Sequence, residues 1–367
     1  MVSGDTMNLA NLVAWGGFGL SVIFGYVANK SHFCTMGAVS DVVNMGDWGR
    51  MRAWLLAMAV AMLGTGFLIY SGSLNLHDTL YTGGPLRWLA ILVGGLSFGV
   101  GMTLAGGCGQ RTLVRVGGGN LKSIVVFMFL GYSALLTLRG IFGWFRVNVL
   151  EAPAVTLPLD GMQTLPALFG LGEYQWLFAV ALALAILIFV FKDAEFRSQR
   201  DNILAGVVVG LVVVAAWYLT GHVGFAENPD TLENTYFGTH SHRAESMTFV
   251  APIGYTMDLW AYWTDSSTTV TFGIASVFGI GIGSFLYALI HRTFRWEYFT
   301  SPQDLFRHII GATLMGFGGV TAMGCTIGQG VTGISTLALG SFMALFSIIV
   351  GAVITMKVQY HMLMREN

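Results

Sequence analysis

The stretch Gly94-Gly-Leu-Ser-Phe-Gly-Val-Gly-Met-Thr-Leu-Ala-Gly-Gly-Cys108 decides the fold, because it recurs as Gly311-Ala-Thr-Leu-Met-Gly-Phe-Gly-Gly-Val-Thr-Ala-Met-Gly-Cys325. A constant offset of 217 residues relates the two stretches, with no gap. Shared glycines alone would carry little weight in a chain with 49 glycines. Five matched small residues and a matched cysteine, in a chain with only three cysteines, indicate an internal repeat.

The composition predicts that most of the chain lies in a lipid bilayer. Its 367 residues are 54% hydrophobic and 10% charged, whereas soluble domains carry about 25% charged residues. A spanning helix needs about 20 mainly apolar residues. The sequence therefore predicts an all-α polytopic membrane protein with about nine transmembrane helices. The nine segments are 12–29, 53–71, 88–106, 123–144, 174–191, 203–220, 268–290, 308–323 and 339–356.

Four short, glycine-rich stretches between these spans are too short to cross a membrane. We expect them to form re-entrant half-helices, which enter the bilayer and leave it on the same side. Such irregular backbone is allowed at membrane depth where protein buries it or where it lines water. Ordinary loops outside the membrane are the alternative. The four stretches are 34–48, 108–119, 251–263 and 325–337.

The repeat also predicts the domain organisation. Four spans precede the one at 174–191 and four follow it, so the odd central span inverts the second half relative to the first, as in many transporters. We expect a first membrane repeat at 1–173 and a central crossover helix with a cytoplasmic loop at 174–202. The second, inverted repeat then covers 203–367 and includes an acidic external loop at 222–267.

The lysine and arginine residues predict the orientation, because cytoplasmic loops carry an excess of them. When the N-terminus is placed on the periplasmic side, most of the 18 basic residues fall in cytoplasmic segments. We therefore expect a multi-pass protein of the bacterial inner membrane, with a periplasmic N-terminus and a cytoplasmic C-terminus.

Charge and cysteine spacing disfavour several functional classes. The net charge is −1 and the chain has no long basic run, so no nucleic-acid partner is indicated. Cys34, Cys108 and Cys325 form no Cys-x-x-Cys pair and have no histidine at metal-ligand spacing. We therefore expect no metal, no cofactor, no catalytic residues and no enzymatic activity.

Each cysteine directly precedes or begins a predicted half-helix. A helix N-terminus presents unpaired N–H groups and about half a positive charge, and a thiol is a weak, polarisable hydrogen-bond donor. Such a site suits a small anion that contains sulfur or selenium. We expect Cys108 and Cys325 to face one another across a pseudo-two-fold axis near the bilayer midplane. Cys34 aligns with Ala251 and so has no symmetric partner.

Charged residues near the cysteines each have two interpretations. Arg111 and Arg115 follow Cys108 and either draw an anion toward the cytoplasmic mouth or anchor the cytoplasmic membrane surface. Asp41 and Asp47 are the nearest carboxylates that could couple transport to an ion, and are otherwise polar residues at the membrane interface.

Three motifs, one around each cysteine, resemble the motifs of the YeeE/YedE family. The resemblance covers nearly the whole chain, from about residue 13 to residue 356. The long external loop at 222–267 has no counterpart in the family pattern. The motifs are His32-Phe-Cys-Thr-Met-Gly37, Gly106-Gly-Cys-Gly-Gln-Arg-Thr112 and Met323-Gly-Cys-Thr-Ile-Gly-Gln-Gly330.

This resemblance implies uptake of thiosulfate or a related small sulfur-containing anion through nine spanning helices and four shorter membrane segments. It implies that Cys34, Cys108 and Cys325 hand the substrate inward by transient contacts with its sulfur. A small cytoplasmic sulfur-carrier protein is a candidate partner. The substrate path is expected to include Gly107, Gly109, Gln110, Arg111, Gly324, Thr326 and Gln329.

Three other functions remain open. A channel for another small solute would also use inverted repeats and half-helices, although a passive pore needs no matched thiols. A transporter of selenium compounds would use the same soft ligands. A membrane thiol oxidoreductase needs two cysteines in contact, which the sequence alone does not exclude.

Overall fold

The computed structural model describes residues 4–159, 161–229, 231–265 and 268–366 and is almost entirely helical. A two-stranded antiparallel hairpin lies in the 222–267 loop, with strands β1 (Phe225–Glu227) and β2 (Asn234–Tyr236). The α-helices are α1 (Gly4–Lys30), α2 (Thr35–Met45), α3 (Gly49–Tyr70), α4 (Trp88–Leu104), α5 (Gly109–Gly117), α6 (Leu121–Arg139), α7 (Ile141–Phe145), α8 (Leu165–Leu168), α9 (Gln175–Phe191), α10 (Ala194–Ser198), α11 (Arg200–Tyr218), α12 (Val250–Ala261), α13 (Phe272–Ile290), α14 (Pro302–Thr321) and α15 (Leu339–Glu366).

Eight helical segments in the described part of the chain are long and apolar enough to cross a membrane. They correspond to eight of the nine predicted spans, and they confirm an all-α polytopic membrane protein. Two of them combine a long helix with the short helix that follows it, namely α1 with α2 and α4 with α5. The segments are Thr6–Met45, Gly49–Tyr70, Trp88–Gly117, Leu121–Arg139, Gly172–Phe191, Arg200–Val223, Phe272–Ile290 and Leu339–Met362.

The remaining predicted span, 308–323, lies in α14, which is 20 residues long but less apolar than the other eight. Its first two turns carry Asp304, Arg307 and His308. Lys122, at the start of α6, contacts Asp304 with an N–O distance of 2.6 Å, so the two helices begin on the same side of the molecule.

Short helices form at all four places where half-helices were predicted. Three of them are α2, α5 and α12. The fourth runs over 326–335, and its middle, Gly328–Gly333, is π-helical. We call this fourth element the 326–335 helix.

The helix packing pairs elements from the two halves of the chain. Helix α1 packs on α13 as α3 packs on α11, and α4 packs on α15 as α6 packs on α14. Helices α4 and α14 also pack directly on each other. Each of these contacts therefore has a counterpart made by the corresponding helices of the other half.

Glycines allow α4 and α14 to approach closely, backbone against backbone. A Cβ on Gly94 would lie 2.5 Å from the Ala322 nitrogen, and a Cβ on Gly318 would lie 2.5 Å from the Gly94 oxygen. Gly101 and Gly311, the repeat equivalents of Gly318 and Gly94, are equally close: a Cβ on Gly101 would lie 2.5 Å from the Gly311 oxygen. These glycines are thus required for the close crossing of α4 and α14.

Candidate functional site

The chain breaks its helical path at the same point in both repeated stretches. Helix α4 ends one residue before Ala105 and α14 ends one residue before Ala322. The next residues, Gly106 and Met323, both adopt a left-handed backbone, with φ of 69° and 60°. A positive φ is uncommon for a non-glycine residue such as Met323. Gly106 and Met323, which are 217 residues apart, therefore share a backbone conformation as well as an equivalent place in the repeat.

The cysteines lie at the N-termini of the short helices. The Cys34 sulfur accepts a hydrogen bond from the Gly37 N–H at 3.4 Å, at the start of α2. The Cys325 sulfur accepts one from the Gly328 N–H, also at 3.4 Å, at the start of the 326–335 helix. Each sulfur thus lies where backbone N–H groups and the helix dipole create positive potential.

Cys108 is the N-cap residue of α5, but its thiol makes no cap hydrogen bond. The sulfur lies 3.9 Å from Oε1 of Gln110. It also interacts with the thiol of Cys34 and with the side chain of Thr326. Cys108 is therefore the point at which α2, α5 and the 326–335 helix meet.

All three cysteines are free and buried, with 6%, 0% and 0% of Cys34, Cys108 and Cys325 exposed. None of them lies on the lipid-facing surface. Sequence reasoning did not place Cys34 beside Cys108, since the two residues are far apart in the chain and belong to different short helices.

Apart from the Cys108 thiol, two buried polar atoms beside it have no hydrogen-bond partner in the described part of the chain. They are Nε2 of Gln110 and Oγ1 of Thr326, and both side chains are fully buried. Buried polar groups are nearly always hydrogen-bonded, and each exception requires an explanation. Two buried side chains beside one thiol, without a nitrogen or oxygen partner for these atoms, therefore have hydrogen-bonding capacity that the described residues do not use.

Basic residues surround the Cys34–Cys108 pair on the side of the molecule where α5 ends. Arg50 forms an ion pair with Asp41, and Arg115 donates to the Gly106 carbonyl at 3.0 Å. Arg111 interacts electrostatically with both thiols and forms no ion pair with any described residue. Arg111 is thus a cation beside two thiols without an ion pair among the described residues.

The two carboxylates that the sequence indicated as coupling groups have structural partners. Asp41 binds Arg50, as described above. Asp47 accepts a hydrogen bond from the Gly49 N–H at 2.7 Å, at the start of α3. Both carboxylates are thus engaged in fixing the connection between α2 and α3.

A cavity of about 380 Å³ opens on the opposite side of the molecule, where α4 begins. Arg87 forms an ion pair with Glu151 at 3.3 Å, whereas the exposed Arg243 forms none with described residues. Sequence reasoning missed Tyr81 and Arg243, although Arg243 was visible as a lone basic residue in an acidic loop. We call this cavity the outer pocket. Its lining includes Tyr81, Arg87, Gln163, Arg243, Met323 and Gln329.

Gln329 has a structural role in addition to lining the outer pocket. Its Nε2 donates to the Ala322 carbonyl, and its Oε1 accepts from the Ser341 hydroxyl at 2.6 Å. A Cβ on Gly324 would lie 3.1 Å from the Gln329 side chain. These contacts hold the loop before Cys325 against α15.

The two glycines beside Cys108 differ in the space around them. A Cβ on Gly107 would lie 3.0 Å from the Arg111 side chain, which is a tight contact. A Cβ on Gly109 would have no neighbour closer than Val250, at 3.6 Å. Gly107 thus leaves room for the Arg111 side chain.

The fold and site define a class of protein: a polytopic helical membrane protein with buried thiols at helix breaks. The chain belongs to the sulphur transport family, which matches residues 30–354 and confirms the resemblance to the YeeE/YedE family.

Two relatives named thiosulfate transporter TsuA are similar to this chain. The one from Spirochaeta thermophila is 26% identical over 351 residues, covering 92% of this chain and 96% of the relative. The one from Escherichia coli strain K12 is 26% identical over 353 residues, covering 90% of each chain.

Proposed function

We propose that this protein imports thiosulfate, or a closely related small sulfur-containing anion, across the bacterial inner membrane by way of its three thiols. The observation that carries the proposal is the Cys108 environment. Two thiols, the Gln110 amide and the Thr326 hydroxyl converge there, together with Arg111, which has no ion pair among the described residues. The names of the two relatives support the choice of thiosulfate.

The electrostatics of this environment match a doubly charged anion. A helix N-terminus contributes about half a positive elementary charge. The ends of α2, α5 and the 326–335 helix, together with Arg111, supply positive charge of a magnitude comparable with two negative charges. Without this positive charge, an anion at membrane depth would be energetically costly.

The thiols provide selectivity for a terminal sulfur over oxygen. A thiol is a weak and polarisable donor, so it loses little hydration when it contacts a soft sulfur atom. Sulfate offers only hard, strongly hydrated oxygens. We infer that the thiols discriminate between these two anions of equal charge.

The proposed path runs from the outer pocket to the opposite side of the molecule, where Arg50, Arg111 and Arg115 lie. The anion enters the outer pocket, passes Cys325, and reaches Cys108 beside Thr326. It then passes Cys34 and leaves beside Arg111. The contacts are transient and no covalent bond forms. A small cytoplasmic sulfur-carrier protein is the partner that we propose for the released ion.

The proposal includes an inverted-repeat architecture with boundaries at 1–173, 174–202 and 203–367. The reciprocal packing of α1 on α13 and α3 on α11 supports it. In this architecture, α14 and the 326–335 helix together provide the ninth crossing. The start of α14 lies beside Lys122, whereas the Leu337 carbonyl accepts a hydrogen bond from the Leu165 N–H near the outer pocket. The four short helices then lie at membrane depth as half-helices.

Uptake of labelled thiosulfate tests this function, in cells that lack other sulfur importers and express this chain. We expect uptake above the empty-vector level, inhibited by excess unlabelled thiosulfate and not by sulfate. Selenite as competitor tests the selenium-compound alternative. Uptake that is absent, or equally inhibited by sulfate, would refute the proposal and favour a less selective pathway.

Reporter fusions at both ends test the orientation, since nine crossings place the termini on opposite sides.

A further inference from the structure

Glu245 is a buried carboxylate in the external loop and has no cation partner. Only 8% of it is exposed. Its Oε1 accepts hydrogen bonds from the N–H of Ser241, at 3.0 Å, and from the Ser241 hydroxyl. It forms no ion pair with any described residue. A buried charge without a partner is costly, and such a group takes up a proton instead.

The surroundings of Glu245 favour its neutral form. Burial raises the pKa of the Glu245 carboxyl above its usual value, and the two donors on Ser241 oppose this only in part. Tyr81 and Tyr255 interact with it electrostatically and carry no positive charge. In the same region Arg139 is paired with Asp258 at 2.9 Å.

Other titratable groups in this region are engaged elsewhere or exposed. Asp78 accepts a hydrogen bond from the Tyr236 hydroxyl at 3.0 Å, and Arg146 is paired with Glu151 at 2.9 Å. His240 stacks on Tyr255 with ring centroids 3.6 Å apart. His242 and Arg243 are exposed, and Arg243 lines the outer pocket two residues before Glu245. No described cation therefore neutralises the carboxylate.

The segment that carries Glu245 contacts the helix behind Cys325. The Glu245 N–H donates to the Thr220 hydroxyl at 3.2 Å. Two residues later, the Met247 carbonyl accepts a hydrogen bond from Thr332, within the 326–335 helix, at 2.8 Å. Tyr81 interacts electrostatically with both Glu245 and Cys325. Glu245 is thus connected to the outer pocket on one side and to Cys325 on the other.

We propose that Glu245 takes up a proton from the outer solution when the anion enters the outer pocket and returns it to the same side when the anion moves inward, so that anion capture is linked to one proton. This inference rests on the proposed function. An ionised Glu245 repels an anion in the outer pocket, and a neutral Glu245 does not. By linkage, protonation and anion binding then favour each other by the same factor.

The test uses full-length protein, purified for binding and in proteoliposomes for uptake, with thiosulfate as the probe. We expect thiosulfate binding and uptake by the wild type to increase as the external pH falls. Where Glu245 is ionised, thiosulfate affinity should fall by up to about tenfold per pH unit, the limit for linkage to one proton. Glu245→Gln should bind thiosulfate with an affinity independent of pH.

Two further variants make the test specific. Glu227→Gln, on the exposed strand β1 of the same loop, should behave as the wild type. Ser241→Ala removes a donor that favours the ionised carboxylate, so its pH profile should shift to higher pH. This second variant carries the test if Glu245→Gln fails to fold.

The outcomes separate this inference from the proposed function. A thiosulfate affinity of the wild type that does not depend on pH would overturn the proton linkage and leave thiosulfate import intact. An unchanged pH profile in both Glu245→Gln and Ser241→Ala would overturn the assignment to Glu245. Failure of the wild type to bind thiosulfate at any pH would refute the proposed function itself.

Discussion

The side chain of Thr326 contacts the thiol of Cys108, so a residue from the second half of the chain completes a site at a helix start in the first half. Apart from the weakly interacting Cys108 thiol, the Thr326 hydroxyl has no hydrogen-bond partner among the described residues, although the residue is fully buried. The hydroxyl therefore contributes little to folding through hydrogen bonding. Its presence is explained if a substrate accepts its hydrogen bond.

Thr326→Val should weaken thiosulfate binding by roughly tenfold or more without loss of stability. A hydrogen bond to a charged ligand contributes about 1.5–3 kcal/mol, and 1.4 kcal/mol is about tenfold in affinity. The Tm should stay the same or rise, since an unpartnered polar group is replaced by a methyl group. Binding to purified protein and thermal unfolding in detergent measure the two effects.

Thr332→Val is the matched control for this prediction. The Thr332 hydroxyl donates to the Met247 carbonyl at 2.8 Å, and the substitution leaves that carbonyl without a partner. It should lower stability by about 1–3 kcal/mol. If Thr326→Val binds thiosulfate as the wild type does, the Cys108 environment is not the substrate site.

Cys108→Ala and Cys325→Ala should each abolish most transport while leaving the fold nearly intact. Each substitution removes one sulfur atom, so the packing loss is small, whereas binding should fall by roughly tenfold to a hundredfold. Serine should rescue poorly, because its hydroxyl is harder and more strongly hydrated. Cys34→Ala should give a partial defect. Transport normalised to membrane expression is the measurement, and wild-type rates for both alanine variants would show that the thiols are packing residues.

Gly94→Ala should destabilise the protein by about 1–3 kcal/mol, the usual cost of overpacking. Its new Cβ would lie 2.5 Å from a backbone nitrogen of Ala322, which cannot move aside as a flexible side chain can. Gly19→Ala is the control, because a Cβ at that helical position meets nothing within 4 Å. Equal thermal stability of the two variants would contradict the close crossing of α4 and α14.

Arg243→Gln should raise the KM for thiosulfate by about tenfold at low ionic strength, with little change in the maximal rate. An exposed cation at the mouth of a cavity increases the local concentration of an anion, and salt screens this effect. The difference from the wild type should therefore shrink in high salt. Arg197→Gln, an exposed change in α10, is the control. A KM difference that does not depend on salt would argue against electrostatic capture.

The sequence by itself determined the membrane class, eight of the spans and the positions of the short helices. These features depend on local composition, because about 20 apolar residues in succession or a glycine-rich interruption can be recognised within one segment. It also determined that Cys108 and Cys325 occupy equivalent positions, since the repeat needs no gap. The family followed from three short motifs for the same reason.

The tertiary structure decided which of these residues meet. Cys34 lies beside Cys108, and Thr326 completes that environment, because three short helices converge from distant parts of the chain. Asp41 neutralises Arg50, whereas Arg111 has no ion pair among the described residues, a difference that composition cannot reveal. Contacts of this kind depend on how helices pack, whereas sequence patterns report only on neighbours along one helix.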